Sequence, residues 1–196
     1  MLMKFVAVLN PRAARLACCM RPFIASTKAL LRLSSMPATL ARPEVGIEGF
    51  RSILRFVRST YDWTVIDLGR NLTRQTANLL DELDDIYLVA TLEVPALHQT
   101  KQIIETFINA GGARERLHLI VNRLPKRSEI TIDEVEQMLG LPVYATVPND
   151  YPSLYDAYAE GTLLGSESSL GRHFARVATR IAGIEPQKTK KRFAIF

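Results

Sequence analysis

Four short apolar runs punctuate the middle of the chain: "WTVIDL" (63–68), "IYLVATL" (86–92), "LHLIVNRL" (117–124) and "PVYATVP" (142–148). All are rich in Val, Ile, Tyr or Thr and too continuous for strands with one face in water, which predicts strands buried on both faces. Ahead of them, "IEGFRSILRFVRSTY" sets Ile47, Phe50, Ile53, Leu54 and Val57 at helical spacing with Arg51, Arg55 and Arg58 opposite, the pattern of an amphipathic helix. Further helices are predicted over 73–83, over 96–110 before Gly111 and Gly112, and over 131–139 before Gly140, a glycine just past a helix being its usual stop. Residues 151–160 and 170–184 read as two closing helices. The alternation of strand and helix predicts an α/β fold, with a mostly parallel sheet, helices on both faces and right-handed crossovers.

The ends of the chain are different. "SSMPATLARPE" (34–44) has two prolines and no period, so it reads as a loop, with ordered structure expected from about Gly46. The expected organisation is a basic, disordered leader over 1–43, an α/β domain over 44–185 and a basic tail over 186–196. Charge follows the same division. The net charge is +5, yet residues 1–43 hold seven Lys or Arg and no acid, residues 44–187 hold 14 basic and 20 acidic residues, and residues 188–196 hold four basic ones. The fold-forming part is therefore mildly acidic, without the Lys/Arg stripe that tracks phosphates, and a nucleic-acid groove in the core is not expected.

At 196 residues and 47% hydrophobic, the chain suffices for one domain with a real core. Cys18 and Cys19 are adjacent and form neither a disulfide framework nor a metal-ligand spacing, so a reducing, cytosolic setting is expected. The apolar stretch from Phe5 to Leu9 is broken by Asn10 and Pro11, too short for a signal peptide, and no run reaches the 18 or so residues needed to span a bilayer. The Arg-rich leader fits an organellar transit peptide or a simple extension, and either way is excluded from the fold.

In an open parallel sheet, ligands bind beyond the carboxyl ends of the strands. There the chain offers Asp67, then Glu93 with Pro95, then Asn122 with Arg123, then Pro148, Asn149 and Asp150. An apolar strand ending in Asp can fix a carboxylate beside a nucleotide's phosphates, where it holds the water shell of Mg²⁺, although Asp also ends strands merely to cap a turn. Taken together, "YDWTVIDLGRNLTRQTANLLDELDDIYLVATLEVPALHQTKQIIETF" and "LIVNRLPKRSEITIDEVEQMLGLPVYATVPNDYPSLYDAYAEGTLL" resemble the deviant-Walker P-loop ATPases of the MinD/ParA type, most closely their CpaE/TadZ pilus-assembly branch. The resemblance covers residues 44–184 and rests on the order and spacing of four strand-end motifs.

The resemblance implies ATP and Mg²⁺ as cofactors. It makes Asp67 the Walker B aspartate that positions Mg²⁺ through water, and Asn122, beside Arg123, the reader of the adenine edge. Pro148, Asn149 and Asp150 become the loop packed around the base. Each has a local alternative: Asn122 as an Asx-turn residue, Pro148 as a strand stop. Gly69 departs from the family, which commonly has Pro after "DL". The larger departure is the phosphate loop itself, whose backbone N–H groups and Lys cradle the phosphates. The sequence has no Gly-Lys pair, its first glycine is Gly46, and Lys28 has no glycine nearby. A truncated gene that begins inside the domain accounts for this, as does a degenerate, non-hydrolysing relative; a sheet without its central strand would leave edges exposed.

The family further implies nucleotide-dependent self-association and pilus or secretion machinery as partners, at a cytoplasmic address, peripheral at the inner membrane or cell pole. In residues 188–196, Lys188, Lys190, Lys191 and Arg192 interleave with Phe193, Ile195 and Phe196, a composition suited to weak contact with an anionic membrane surface. Two functions therefore stand side by side: a localisation ATPase, and a scaffold that keeps the fold without hydrolysis. A receiver-like domain is disfavoured, since neither its early acidic pair nor a Lys after the last strand is evident.

Overall fold

The computed structural model describes residues 4–9, 47–69 and 79–184. Five strands form one sheet: β1 (Lys4–Leu9), β2 (Thr64–Gly69), β3 (Asp85–Ala90), β4 (Leu117–Leu124) and β5 (Val143–Pro148), in the spatial order β2-β1-β3-β4-β5. The helices are α1 (Ile47–Thr60), α2 (Val94–Asn109), α3 (Ile132–Leu139), α4 (Tyr151–Ala159) and α5 (Ser169–Ile181). Strands β3, β4 and β5 run parallel, as the continuous apolar runs imply, and are joined through α2 and α3.

One expectation is corrected. Residues 1–43 were set outside the fold, with order beginning near Gly46, yet Lys4–Leu9 pairs antiparallel with both β2 and β3 and so supplies a central strand. The physical reason is that a strand flanked on both sides needs only five or six residues of apolar, β-prone chain; Asn10 and Pro11, which make the run too short for a membrane or signal segment, do not make it too short for a strand. The rest of the expected leader, most of the helix expected over 73–83, and the basic tail lie outside the described residues. Of that helix the described part is a single 3₁₀ turn, Leu80–Glu82.

Alternation along β3 and β4 divides the core in two. Ile86, Leu88 and Ala90, with Leu117 and Leu119, face one side, where Leu54 and Val57 of α1, Leu97, Ile104 and Phe107 of α2, and Val135 and Leu139 of α3 cover them. Tyr87 and Ile120 face the other side and meet Val147, Leu170, Val177 and Ile181, so α5 covers this second face. Local chemistry sets the helix ends. Thr131 and Glu134 form a capping box at the start of α3, with the Thr131 N–H donating to Glu134 Oε2 at 2.8 Å and the Glu134 N–H to Thr131 Oγ1 at 3.2 Å. The Thr131 N–H and the Thr131 hydroxyl, both donating to Glu134 Oε2, hold the Glu134 carboxyl below its usual range. Gly140 ends α3 at φ +62°, left-handed geometry that favours glycine. Three residues on, the Val143 N–H donates to Glu136 Oε1 at 2.7 Å, tying β5 back to the same helix.

At the amino ends of β3, β4 and β5, Tyr87, His118 and Tyr144 pack ring against ring, with centroids 4.8 to 5.4 Å apart. His118 Nε2 lies 2.8 Å from Asp85 Oδ1. The Arg180 guanidinium of α5 sits 4.2 Å from the centre of the Tyr144 ring and also donates to the Tyr144 carbonyl, pinning the last turn of α5 to the start of β5. Burial pushes the Tyr87 hydroxyl well above the ordinary tyrosine value, with Tyr144 and Asp85 adding to the rise.

Two predictions follow from this architecture. Every backbone N–H of β1 faces one neighbouring strand or the other, so Ala7→Pro removes a ladder bond and orphans its acceptor; it is expected to cost roughly 1–3 kcal/mol in urea unfolding. Tyr87 is held neutral in the fold, and a raised folded pKa contributes stability that is present below the unfolded value of about 10 and lost as pH rises beyond it. The urea midpoint should therefore fall between about pH 9 and about pH 11, and fall less steeply in Tyr87→Phe.

Candidate functional site

An open cleft of about 940 Å³ lies beyond the carboxyl ends of β3, β4 and β5. Its walls come from three strand-to-helix connections. Thr91 to Pro95 follow β3, Arg123, Pro125 and residues 127–130 come from the end of β4 and the loop after it, and Asn149 and Tyr151 follow β5. This is the end of a parallel sheet, beyond the carboxyl ends of its strands, at which ligands bind. Two cations, Arg123 and Arg127, and two carboxylates, Glu93 and Glu129, line it.

The end of β4 is bent to make this opening. Its register with β5 shifts between Val121 and Leu124, and Arg123 takes φ +53°, left-handed backbone that a non-glycine residue adopts only when its surroundings over-determine it. Two bonds do so: the Arg123 N–H donates to Asn122 Oδ1 at 2.9 Å, and the Asn149 N–H donates to the Leu124 carbonyl at 2.9 Å. The turn thus delivers Arg123, an exposed side chain, to the cleft, while half-buried Asn122 uses its carbonyl oxygen to hold the turn.

The residues singled out from sequence separate into three groups. Arg123 and Asn149 line the cleft. Asn122, Pro148 and Asp150 shape its rim: Pro148 pairs with Leu124 at the end of β5, and Asp150 caps α4 by accepting from the Ser153 N–H at 3.4 Å. Asp67 stands apart. β1 lies between β2 and β3, so Asp67 is two strand spacings, about 10 Å, from β3, and register sets it level with Val6 and Tyr87 rather than with the cleft. Its Oδ1 accepts from the Gly69 N–H at 2.9 Å in a turn where Gly69 has φ +79°, which accounts for glycine after "DL". Arg127 and Tyr151 were not foreseen; charged residues in the loop after β4 and an aromatic at the start of α4 were the available signals.

Thr91 is 4% exposed and its hydroxyl has no hydrogen-bond partner, a buried polar group at the cleft with bonding capacity to spare. The Asn149 side chain is exposed beside it. For Mg²⁺, which commonly takes one or two carboxylates plus phosphate and water, Asp67 offers one exposed carboxylate, and no cluster of three metal-binding side chains occurs among the described residues.

No protein-family model matches the chain. By sequence it is similar to the septum site-determining protein MinD of Thermotoga maritima, 26% identical over 165 residues that make up 80% of this chain and 60% of the relative. Solved structures share its fold. The ParA family ATPase of Chlorobium tepidum TLS superposes with a TM-score of 0.62 at 22% identity, over 69% of this chain and 56% of that one. MinD of Pyrococcus horikoshii OT3, solved with Mg-ADP, gives 0.57 at 24% identity over 75% and 60%. The chain thus spans about 60% of the relative's length. It shares the α/β fold of these two solved structures over 69% and 75% of its own length.

A prediction tests the bent end of β4. Glycine at position 123 accepts the left-handed backbone without penalty, whereas a β-branched residue there does not. Arg123→Gly is expected to leave the urea midpoint unchanged or raise it, and Arg123→Val to cost about 1–2 kcal/mol.

Proposed function

We propose that this chain is an ATP-binding protein of the MinD/ParA type, acting in the spatial placement or assembly of a pilus or secretion system as in the CpaE/TadZ branch. The observation that carries the reading is the cleft at the ends of β3, β4 and β5, where Arg123 and Asn149 meet beside the orphaned Thr91 hydroxyl. In this reading the adenine lies among Asn149, Pro148 and Asp150, with the Asn122 amide within the same turn and Arg123 at the open side. Asp67 would supply the carboxylate for Mg²⁺ through water on the phosphate side, about 10 Å across β1 from the cleft. Self-association around nucleotide and contact with the machinery it places are the corresponding partners, and the cytoplasmic face of the inner membrane or the cell pole is the corresponding address.

A second reading is a scaffold that keeps the fold and does not hydrolyse ATP. It is favoured by one specific feature: the sequence contains no Gly-Lys pair with which to cradle a triphosphate.

Calorimetric titration of the 196-residue chain with ATP, with and without Mg²⁺, decides between the two. Saturable binding that Asn149→Ala weakens about tenfold, or about 1.4 kcal/mol, supports the nucleotide reading. Under that reading Asp67→Ala lowers Mg²⁺-dependent hydrolysis more than it lowers binding. A folded sample that takes up no ATP leaves the scaffold.

A further inference from the structure

Helix α4 turns its apolar side outward. Tyr151, Leu154, Tyr155 and Tyr158 recur at i, i+3, i+4 and i+7, the spacing of one helical face, and are 62%, 47%, 54% and 84% exposed. No residue of α4 is buried, and Leu163 just beyond it is 83% exposed. An amphipathic helix normally spends this face on the core; here only Ser153 and Ala157 are half-buried, on the side towards the protein. The surround is acidic: between residues 149 and 169 the chain has Asp150, Asp156, Glu160 and Glu167 and no Lys or Arg. The face therefore suits a partner that is both basic and apolar.

We propose that the α4 face is the docking site for residues 188–196 of the same molecule. Lys188, Lys190, Lys191 and Arg192 match the four carboxylates in number and oppose them in sign, and Phe193, Ile195 and Phe196 match the tyrosine and leucine stripe. Chain length permits it. Arg180 fixes the last turn of α5 against Tyr144 at the start of β5, and α4 begins just past the other end of that strand, a separation of about 20 Å set by six strand residues. From Ile184 to Phe193 the chain can span about 30 Å. Docking there sets the segment beside Tyr151, which also lines the cleft, so tail and cleft share one rim. The inference rests on α4 and the tail sequence alone and stands whether or not nucleotide binds.

Hydrogen exchange on the 196-residue chain tests it. At low salt the α4 amides should exchange at least fivefold slower than in the variant carrying Lys188→Glu, Lys190→Glu, Lys191→Glu and Arg192→Glu, and the difference should vanish near 0.5 M salt, where exposed charges are screened to roughly 4 Å. Independently, Tyr155→Ser with Tyr158→Ser, two exposed positions whose change leaves the core intact, should speed tryptic cleavage within residues 188–192 by a similar factor. Equal α4 exchange in parent and charge-reversed chains overturns the proposal. So does protection that grows with protein concentration, which assigns the face to a second copy, and so does a charge reversal whose sole effect is lost binding to phosphatidylglycerol vesicles, which assigns the tail to a lipid surface.

Discussion

Strand β1 joins the two parts of this sheet. β2 hydrogen-bonds to β1 and β1 to β3, so among the described residues the ladder links the edge strand that carries Asp67 to the parallel β3-β4-β5 unit through the six residues of β1. Because β1 runs antiparallel to both neighbours, β2 and β3 share a direction without touching. The separation of Asp67 from the cleft is a consequence of that insertion: one added strand moves the carboxylate a further strand spacing from the residues around Arg123.

Around this ladder the two faces of the sheet are closed unequally. α1, α2 and α3 seal one face with a continuous aliphatic core, reinforced where Arg116 donates to the carbonyls of Leu80 and Leu83 and Arg58 to that of Glu82. The other face is held by α5 and by a polar aromatic cluster in which Tyr87, His118, Tyr144 and Arg180 combine ring packing with charge. Tyr87 is buried and His118 and Tyr144 half-buried, and exposed Arg180, by lying over the Tyr144 ring and donating to its carbonyl, fixes how α5 seats on β5. α4 takes no part in either core, and its aromatic side is left for a partner.

The cleft is built from the ends of the strands that the sheet holds most firmly. Most of β3 and of the first five residues of β4 are buried, so the connections after them leave rigid positions, and the left-handed backbone at Arg123 is stabilised by two hydrogen bonds from neighbouring turns. The same bonds divide labour between adjacent residues: Asn122 maintains the turn and Arg123 faces the ligand space. A side-chain amide and a cation at one strand end were visible in the sequence, but which of the two would be structural was not.

The sequence by itself determined the elements whose chemistry is local. The four apolar runs became β2 to β5 within a residue or two, the arginine-faced segment became α1, and Thr131, Glu134 and Gly140 set the limits of α3 through capping bonds that span at most four residues. Tertiary structure alone decided what depends on distant partners. A five-residue apolar run becomes an interior strand only if two others offer it their edges, and nothing near Phe5 announces that β2 and β3 do so, some sixty and eighty residues later. In the same way nothing near Asp67 announces that β1 sets it two strand spacings from β3. The outward turn of α4 belongs with these, because helical spacing defines an apolar face but only the packing of neighbouring elements decides whether that face meets the core or the solvent.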